Sequence, residues 1–380
     1  MGNELYHNNT LRQSTSKYQL NTPALILDLD QLEQNITTMA DFMLKSGRKL
    51  RPHAKSHKCI KIAEKQIQAG AAGVCCATLD EAEIMCASGI RGIHITSPVT
   101  SALKIDRLVE LARQSPDMMI VVDHPQNVAA LALATKKADI SLNVIIDIEL
   151  GFGRTGVISA DAAEALAQTI SSHKTLNYCG IQAYGGHLQH ITDYQTRLQK
   201  TRQAHDYINK IITRLSAIDM APAIVTGGGT GTHMIDAKEG PFTEIQAGSY
   251  IFMDAEYRGI ECSDHQSWTF NYSLFVQTTI ISKNYPDMAS TDAGTKAFAL
   301  NGPLPRIVTA GYQSLSYEYT GDEHGRIRTV DNNPLPAIGE TIECVIPHCD
   351  PTVALYDNYH CIRQNQLVDI WPVDARGRRS

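Results

Sequence analysis

From residue 24 onward the chain alternates two textures. Short β-rich apolar runs lie at 24–27, 50–54, 73–77, 93–96, 119–122, 144–148, 179–183 and 224–226. Between them are longer stretches whose apolar residues recur at helical spacing, as at 32–44, 79–87, 104–113, 160–171 and 191–217. Eight strand-like runs, each followed by a helical pattern, predict an α/β fold of the (β/α)8 TIM-type barrel class. A doubly wound open sheet uses the same units, but eight regular units favour closure. Near residue 259 the texture changes. Runs at 273–281, 296–300, 306–309, 340–345 and 367–371 are β-type, with no long helical pattern between them. Turn residues cluster instead, as in Asn332-Asn333-Pro334 and Gly321-Asp322-Glu323-His324-Gly325. This predicts a barrel over 22–258 and a mostly antiparallel C-terminal β domain over 259–380. The polar residues 1–21 form an N-terminal segment that either frays or adds a strand to the β domain.

Composition then narrows the function classes. At 380 residues, 43% hydrophobic and 19% charged, the chain has the balance of an ordinary globular enzyme with a large core. A net charge of −6 argues against nucleic acid or an anionic membrane as a main partner. No apolar run approaches the roughly 20 residues of a spanning helix. Met1-Gly2-Asn3-Glu4 opens neither with basic residues nor into an apolar stretch, so no signal peptide is expected. Nine cysteines is an odd number, and several sit in apolar runs, such as Cys75-Cys76 and Cys179. Buried thiols in a reducing compartment, and hence the cytoplasm, are expected rather than a disulfide framework.

In a barrel, chemistry collects where strands end and loops begin. The second run leads into Arg51-Pro52-His53-Ala54-Lys55-Ser56-His57-Lys58. Period-2 alternation puts Arg51, His53 and Lys55 on the inward face. Lys55 is then either a candidate Schiff-base residue or part of a cationic loop facing an acidic partner. A confined, unpaired ammonium is costly, and imine formation with an aldehyde cofactor removes that cost. The sixth run ends in Glu149-Leu150-Gly151-Phe152-Gly153-Arg154-Thr155-Gly156-Val157. Its glycines allow a tight turn that either brings Arg154 inward, as a bidentate donor to a phenolate or carboxylate, or leaves it on the surface. The seventh run ends at Tyr184, placed either against an aromatic cofactor ring or as core filling. The eighth enters Thr226-Gly227-Gly228-Gly229-Thr230-Gly231-Thr232, a loop able to aim backbone N–H groups at a phosphate. It lacks the P-loop lysine and the dinucleotide spacing. Gly248-Ser249-Tyr250 offers further donors. In Pro347-His348-Cys349-Asp350-Pro351, extended chain would place His348 and Asp350 on one face. They are either a structural hydrogen-bonded pair or two ligands of a manganese, magnesium or zinc ion, with Asp322 as a further acidic group.

Taken in order, these segments resemble the D-threonine aldolase family, within the alanine-racemase-like (fold type III) enzymes that use pyridoxal phosphate. The resemblance rests on Thr22-Pro23-Ala24 with Asp28-Leu29-Asp30, 51–58, Gly73-Val74-Cys75-Cys76, 151–157 and Gln182-Ala183-Tyr184. It continues through 226–232, 244–254, Asp322-Glu323-His324-Gly325, 348–352 and Asp369-Ile370-Trp371. It implies a barrel carrying pyridoxal phosphate, capped by a β domain that supplies a divalent metal. Lys55 is then the Schiff-base lysine, and Tyr184 packs near the cofactor ring. Thr226, Gly228, Gly229, Thr230, Gly248, Ser249 and Tyr250 surround the phosphate. Arg154 lies near the phenolic oxygen or the substrate carboxylate, and His348 and Asp350 hold the metal. A homodimer is also implied. One departure stands out: this chain reads Tyr184-Gly185-Gly186 where family members often read Tyr-His-Gly, and its next histidine is His187.

The implied reaction is retro-aldol cleavage of a β-hydroxy-D-amino acid, D-threonine giving glycine and acetaldehyde, with His57 or a metal-bound water as base. Its rivals are D-3-hydroxyaspartate aldolase and a D-serine or D-hydroxyaspartate dehydratase on the same scaffold. Such dehydratases tend to carry a His-x-Cys pair, whose thiolate suits zinc, so Asp350 favours the aldolase. A non-catalytic pyridoxal-phosphate-binding protein is the rival of another class, and it has no need of a metal pair.

Overall fold

Along the barrel, apolar strands alternate with helices whose ends are set by local capping. In α1 (Leu29–Ser46), Asp28 accepts the Gln31 N–H at the start and Gly47 turns left-handed at the end. In α3 (Leu79–Ala87), Thr78 accepts the Glu81 N–H. The computed structural model describes residues 15–263, 267–329 and 333–378. Most of the N-terminal segment and Asn332 of the predicted 332–334 turn lie outside the described residues.

Strands are numbered along the chain, β1 being Ala24–Asp28. The parallel sheet of eight strands comprises β2 (Lys49–Leu50), β3 (Val74–Cys76), β4 (Ile93–Ile95), β5 (Met119–Val122), β6 (Leu142–Ile148), β7 (Leu176–Ala183), β8 (Ile224–Gly227) and β9 (Glu244–Ile245). Their spatial order is β2-β9-β8-β7-β6-β5-β4-β3. The ring closes where His53 bridges Cys75 in parallel register and the Cys75 N–H donates to Pro52 O at 2.8 Å. Besides α1 and α3, the strands are separated by α2 (Ile60–Gln68), α4 (Ala102–Gln114), α5 (Pro125–Ala138), α6 (Ala160–Ser171), α7 (Tyr194–Ser216) and α8 (His233–Glu239).

The barrel therefore begins one strand later than the hydrophobic pattern predicts. β1 is not its first strand: it pairs antiparallel with β10 (Leu274–Ser282) and parallel with β16 (Asn358–Arg363) in the second sheet. Leu25 and Leu27 face the main core, while Ala24 and Ile26 pack with Leu20, Ile362 and Leu367. A strand buried on both faces shows the same apolar run in either sheet, so its partners are invisible in the pattern. The eighth barrel strand is β9, two residues long and too short to show periodicity. The consequence is a renumbering: Lys55 follows the first barrel strand, Arg154 the fifth, Tyr184 the sixth and the glycine loop the seventh.

The second sheet also holds β11 (Met288–Thr291), β12 (Arg306–Ile307), β13 (Ser316–Tyr319), β14 (Gly325–Arg328), β15 (Thr341–Val345) and β17 (Gln366–Pro372). It is antiparallel apart from the β1–β16 pair. Residues 321–325 fall at the β13–β14 hairpin, where the turn cluster predicts them. The expected strand at 296–300 is absent. Its backbone is held crosswise instead, Lys296 N–H to Asp322 O and Ala299 N–H to Thr352 Oγ1.

Inside the barrel, Arg51 clamps Glu244 through two bonds of 2.8 and 2.9 Å, both side chains being buried. Breaking such a pair by removing one partner costs about 3–5 kcal/mol. The layer beneath the open end is polar too: His94 Nε2 meets Gln182 Oε1 at 2.8 Å, and Gln182 Nε2 donates to Asp147 at 2.8 Å. All nine cysteines are free, and all but Cys179 are buried. Among the described residues no helix is long and apolar enough to cross a membrane.

Candidate active site

A cleft of about 590 Å³, counted to its open mouth, sits at the C-terminal ends of the barrel strands. Its lining includes His53, Lys55, Arg154, Gln182, Tyr184, Gly229, Thr230, Gln246, Gly248, Ser249 and Tyr257. The segment at its heart departs from a strand. After the His53–Cys75 bridge the chain tightens into a 3-10 turn, Ala54–Ser56, in which His53 Nδ1 accepts the Lys55 N–H at 3.4 Å. Lys55 therefore projects from a turn rather than from an alternating strand face. Its side chain, 40% exposed, pairs with Asp350. Burial disfavours the ammonium, but the Asp350 charge outweighs this and holds the Lys55 pKa above its ordinary value. In the same way, burial opposes the Asp350 anion, while Lys55 and His348 hold its carboxyl well below the usual range.

Arg154 lines the cleft while remaining exposed, its guanidinium 5.3 Å from the Tyr184 ring and 5.5 Å from the Phe152 ring. Glu149 holds that loop by accepting the N–H groups of Gly151, Phe152 and Gly153 at 2.7, 2.5 and 2.7 Å. Asp147 accepts the Thr155 hydroxyl at 2.7 Å.

The two glycine-bearing segments meet where the Tyr250 N–H donates to Thr230 Oγ1 at 3.1 Å. A Cβ on Gly248 would stand 2.9 Å from His53 O, so only glycine allows this approach. Gly228 has φ +66° and packs on Asp236. Among the described residues the N–H groups of Gly229, Thr230 and Gly248 have no backbone acceptor, which leaves them as donors for an anion. Thr226, Gly228 and Tyr250 support this cradle from behind. Thr226 is buried and accepts Gln246 Nε2 at 2.9 Å. The Tyr250 ring turns away to accept Gln66 Nε2 at its hydroxyl, 3.0 Å, so its side chain is no phosphate donor.

Three residues or segments stand elsewhere than the sequence predicts. His57 does not stand where a substrate hydroxyl can reach it. It is fully buried, its Nδ1 accepts the Cys59 N–H at 3.1 Å, and burial pushes its pKa down to about 3. The extended chain stops at His348, which takes the N-cap position of a short helix, α10 (Cys349–Val353), so Asp350 lies in the first turn of that helix and not across an extended face. Asp322 is exposed and pairs with Lys296 rather than with this corner.

Beside His348 stand three groups that no sequence pattern marks: Glu256 in α9 (Ala255–Arg258), Asp254 at the N-cap of that helix and His190 in the loop before α7. His348 Nδ1 lies 2.7 Å from Glu256 Oε2 and 3.5 Å from Asp254 Oδ2. His190 Nδ1 lies 3.2 Å from Glu256 Oε1, its ring 6.2 Å from that of His348 and 4.9 Å from that of Tyr257. Burial raises Asp254 to about 6. His187, the histidine after the departing Tyr-Gly-Gly, instead stacks on Phe152 at 6.0 Å. The spacing of His190 behind that loop and the Asp254-x-Glu256 pair were the available signals, and neither has a periodicity to mark it.

Residues 27–256 match the family described as alanine racemase, N-terminal domain, and 273–362 match a serine dehydratase domain. The chain is 36% identical to a D-threonine aldolase of Arthrobacter sp over 94% of its length and 93% of that protein. It is 35% identical to a 3-hydroxy-D-aspartate aldolase of Paracoccus denitrificans (strain Pd 1222), over 95% and 93%. The solved D-threonine aldolase from Filomicrobium marinum superposes with a TM-score of 0.93 at 35% identity, covering 97% of this chain and 99% of that one. The chain belongs to the D-threonine aldolase family. It is a carbon–carbon lyase with the alanine-racemase-like fold, and this family implies pyridoxal phosphate. The cleft fits that cofactor. It offers a primary amine, an aromatic ring and a cation beside it, and a cradle of N–H donors close enough to exclude a Cβ.

Proposed function

We propose that the chain cleaves β-hydroxy-D-amino acids in a pyridoxal-phosphate- and metal-dependent retro-aldol reaction, D-threonine giving glycine and acetaldehyde. The observation that carries this reading is the Lys55–Asp350 pair, in which the cleft amine meets a carboxylate two residues from His348. When bound, pyridoxal phosphate supplies an electron-accepting ring for the electrons of the breaking Cα–Cβ bond. A divalent ion held by His348 and Asp350, Mn2+ or Mg2+ ahead of Zn2+, would supply Lewis acidity at the β-oxygen. The donor chemistry fits such an ion. Nitrogen and carboxylate ligands sit in a corner whose three carboxylates, Asp254, Glu256 and Asp350, face one lysine and two imidazoles. Among the described residues no group of three or more His, Cys, Asp or Glu is arranged to hold an ion, so water would complete the shell.

The chain's own groups orient the substrate and move its protons. Arg154 holds an anionic oxygen of cofactor or substrate, and Gly229, Thr230, Gly248 and Ser249 hold the phosphate. His190, in place of the interior His57, takes the β-hydroxyl proton. As the Cα–Cβ bond breaks, the Cβ–O bond becomes a carbonyl and the aldehyde leaves. A proton then returns to Cα from Lys55, the amine at the cleft, giving glycine. A second substrate, D-3-hydroxyaspartate, is favoured by the 35% identity to the enzyme named for it. A product assay decides: acetaldehyde plus glycine from D-threonine supports the first reading, and glyoxylate plus glycine from D-3-hydroxyaspartate alone moves it to the second. Ammonia plus 2-oxobutanoate from D-threonine would replace it with a dehydratase. A homodimer in the cytoplasm is part of this proposal, and light scattering on the purified chain tests the assembly.

A further inference from the structure

One carboxylate touches two imidazoles. Glu256 brings Oε2 to 2.7 Å from His348 Nδ1 and Oε1 to 3.2 Å from His190 Nδ1; these are close ion-pair contacts, and both Nδ1 atoms are buried with no aligned hydrogen-bond partner. Carboxylate oxygens only accept, so each contact calls for a proton on Nδ1 and leaves the lone pair on Nε2, the opposite edge of each ring. A histidine in that tautomer can ligate a cation or accept a proton. The other tautomer can do neither through Nε2. The clamp is itself fixed: Asp254 caps α9 by accepting the Tyr257 N–H at 2.8 Å and ties α10 to it by accepting the Cys349 N–H at 2.9 Å.

We infer that Glu256 is a positioning residue that sets the tautomer of two histidines at once, His348 for metal binding and His190 for proton transfer. The inference rests on the proposed function in both arms: the metal arm on the proposed His348 ligand, which Mn2+ titration reads without turnover, and the other arm on the proposed cleavage. The discriminating variant is Glu256→Gln. A glutamine has one carbonyl oxygen and one NH2 group, so it can satisfy only one Nδ1–H and drives the other ring toward the Nε2–H form.

Calorimetric titration of Mn2+ into the cofactor-loaded chain reads the first role, and steady-state cleavage of D-threonine at saturating Mn2+ reads the second. For E256Q the Mn2+ Kd is expected to rise about 10- to 100-fold. At saturating Mn2+, kcat is expected to fall about 10²-fold with KM changed by less than about threefold. In an H190F background, E256Q should add little further loss of kcat, whereas H190F alone should leave the Mn2+ Kd within about twofold. Parental Mn2+ affinity in E256Q would overturn the His348 role, and parental kcat at saturating Mn2+ would overturn the His190 role. If E256Q does not fold, Glu256→Asp keeps both acceptors at shorter reach, and smaller losses of both quantities are expected; no change in either would overturn the inference. If the parent chain cleaves none of the β-hydroxy-D-amino acids, the proposed function fails, while the Kd shift still decides the metal role.

Discussion

On the barrel side of the cleft, Gly229, Thr230, Gly248 and Ser249 are held by strand ends and by main-chain geometry. On the side of α9 and α10, Lys55, Asp350, His348, Glu256 and His190 hold one another by charge. The first half is largely a shape, made where backbone approaches backbone, as Gly248 does to His53 O. The second is a set of partly buried ionisable groups, and removing one leaves its neighbour without its charge partner. On the proposed roles, cofactor binding and bond cleavage belong to different halves, and mutations are expected to pull them apart.

The sharpest break is Lys55→Ala, which joins the two halves. Activity should fall about 10³-fold or more, and the visible absorbance of the lysine-linked cofactor should vanish. Persistence of that band would remove Lys55 from the assignment. Next come His348→Ala and Asp350→Ala, which strip only the charged side. Turnover should drop about 10²- to 10³-fold while cofactor absorbance remains, and chelation should do the same to the parent. Activity that survives both replacements and chelation would take the metal out of the reaction.

A third effect probes the barrel floor. Burial raises the Asp147 carboxyl to about 6 in the folded state, against the hydrogen bonds from Thr155 and Gln182. A carboxyl raised on folding contributes stability that is present at low pH and is lost as pH climbs through the folded pKa. Denaturant melts of the parent minus Asp147→Asn should therefore fall by about 3 kcal/mol between pH 4 and pH 7 and level off above. A flat difference would show that Asp147 is not penalised by burial. The smallest effect belongs to the cradle. Gly248→Ala places a Cβ 2.9 Å from His53 O, and cofactor affinity should weaken about tenfold, whereas Ser249→Ala should change it less. Equal loss from both would mean that side chains, not backbone, make the cradle.

Much of the barrel side is legible in the chain. The lysine among histidines, the arginine turn and the glycine loop all reach one cleft, because each follows a strand whose apolar run announces it. The charged side is legible only in part. His348 and Asp350 stand out as a pair, but Glu256 and His190 carry no periodicity, and nothing local links 190, 256 and 348. His57 misleads for the opposite reason: it is two residues from Lys55 in sequence, yet after the 3-10 turn at 54–56 it lies in the core.

The βα rhythm, the later β texture and the residue types that chemistry would need are all readable along the chain, since they depend on local periodicity and on side-chain chemistry. It takes the folded molecule to place β1 in the second sheet, to complete the ring with β9 and to set Glu256 between two imidazoles. Those outcomes depend on which buried surfaces meet across long sequence separations. An apolar run or a lone carboxylate reads the same whichever partner it finds.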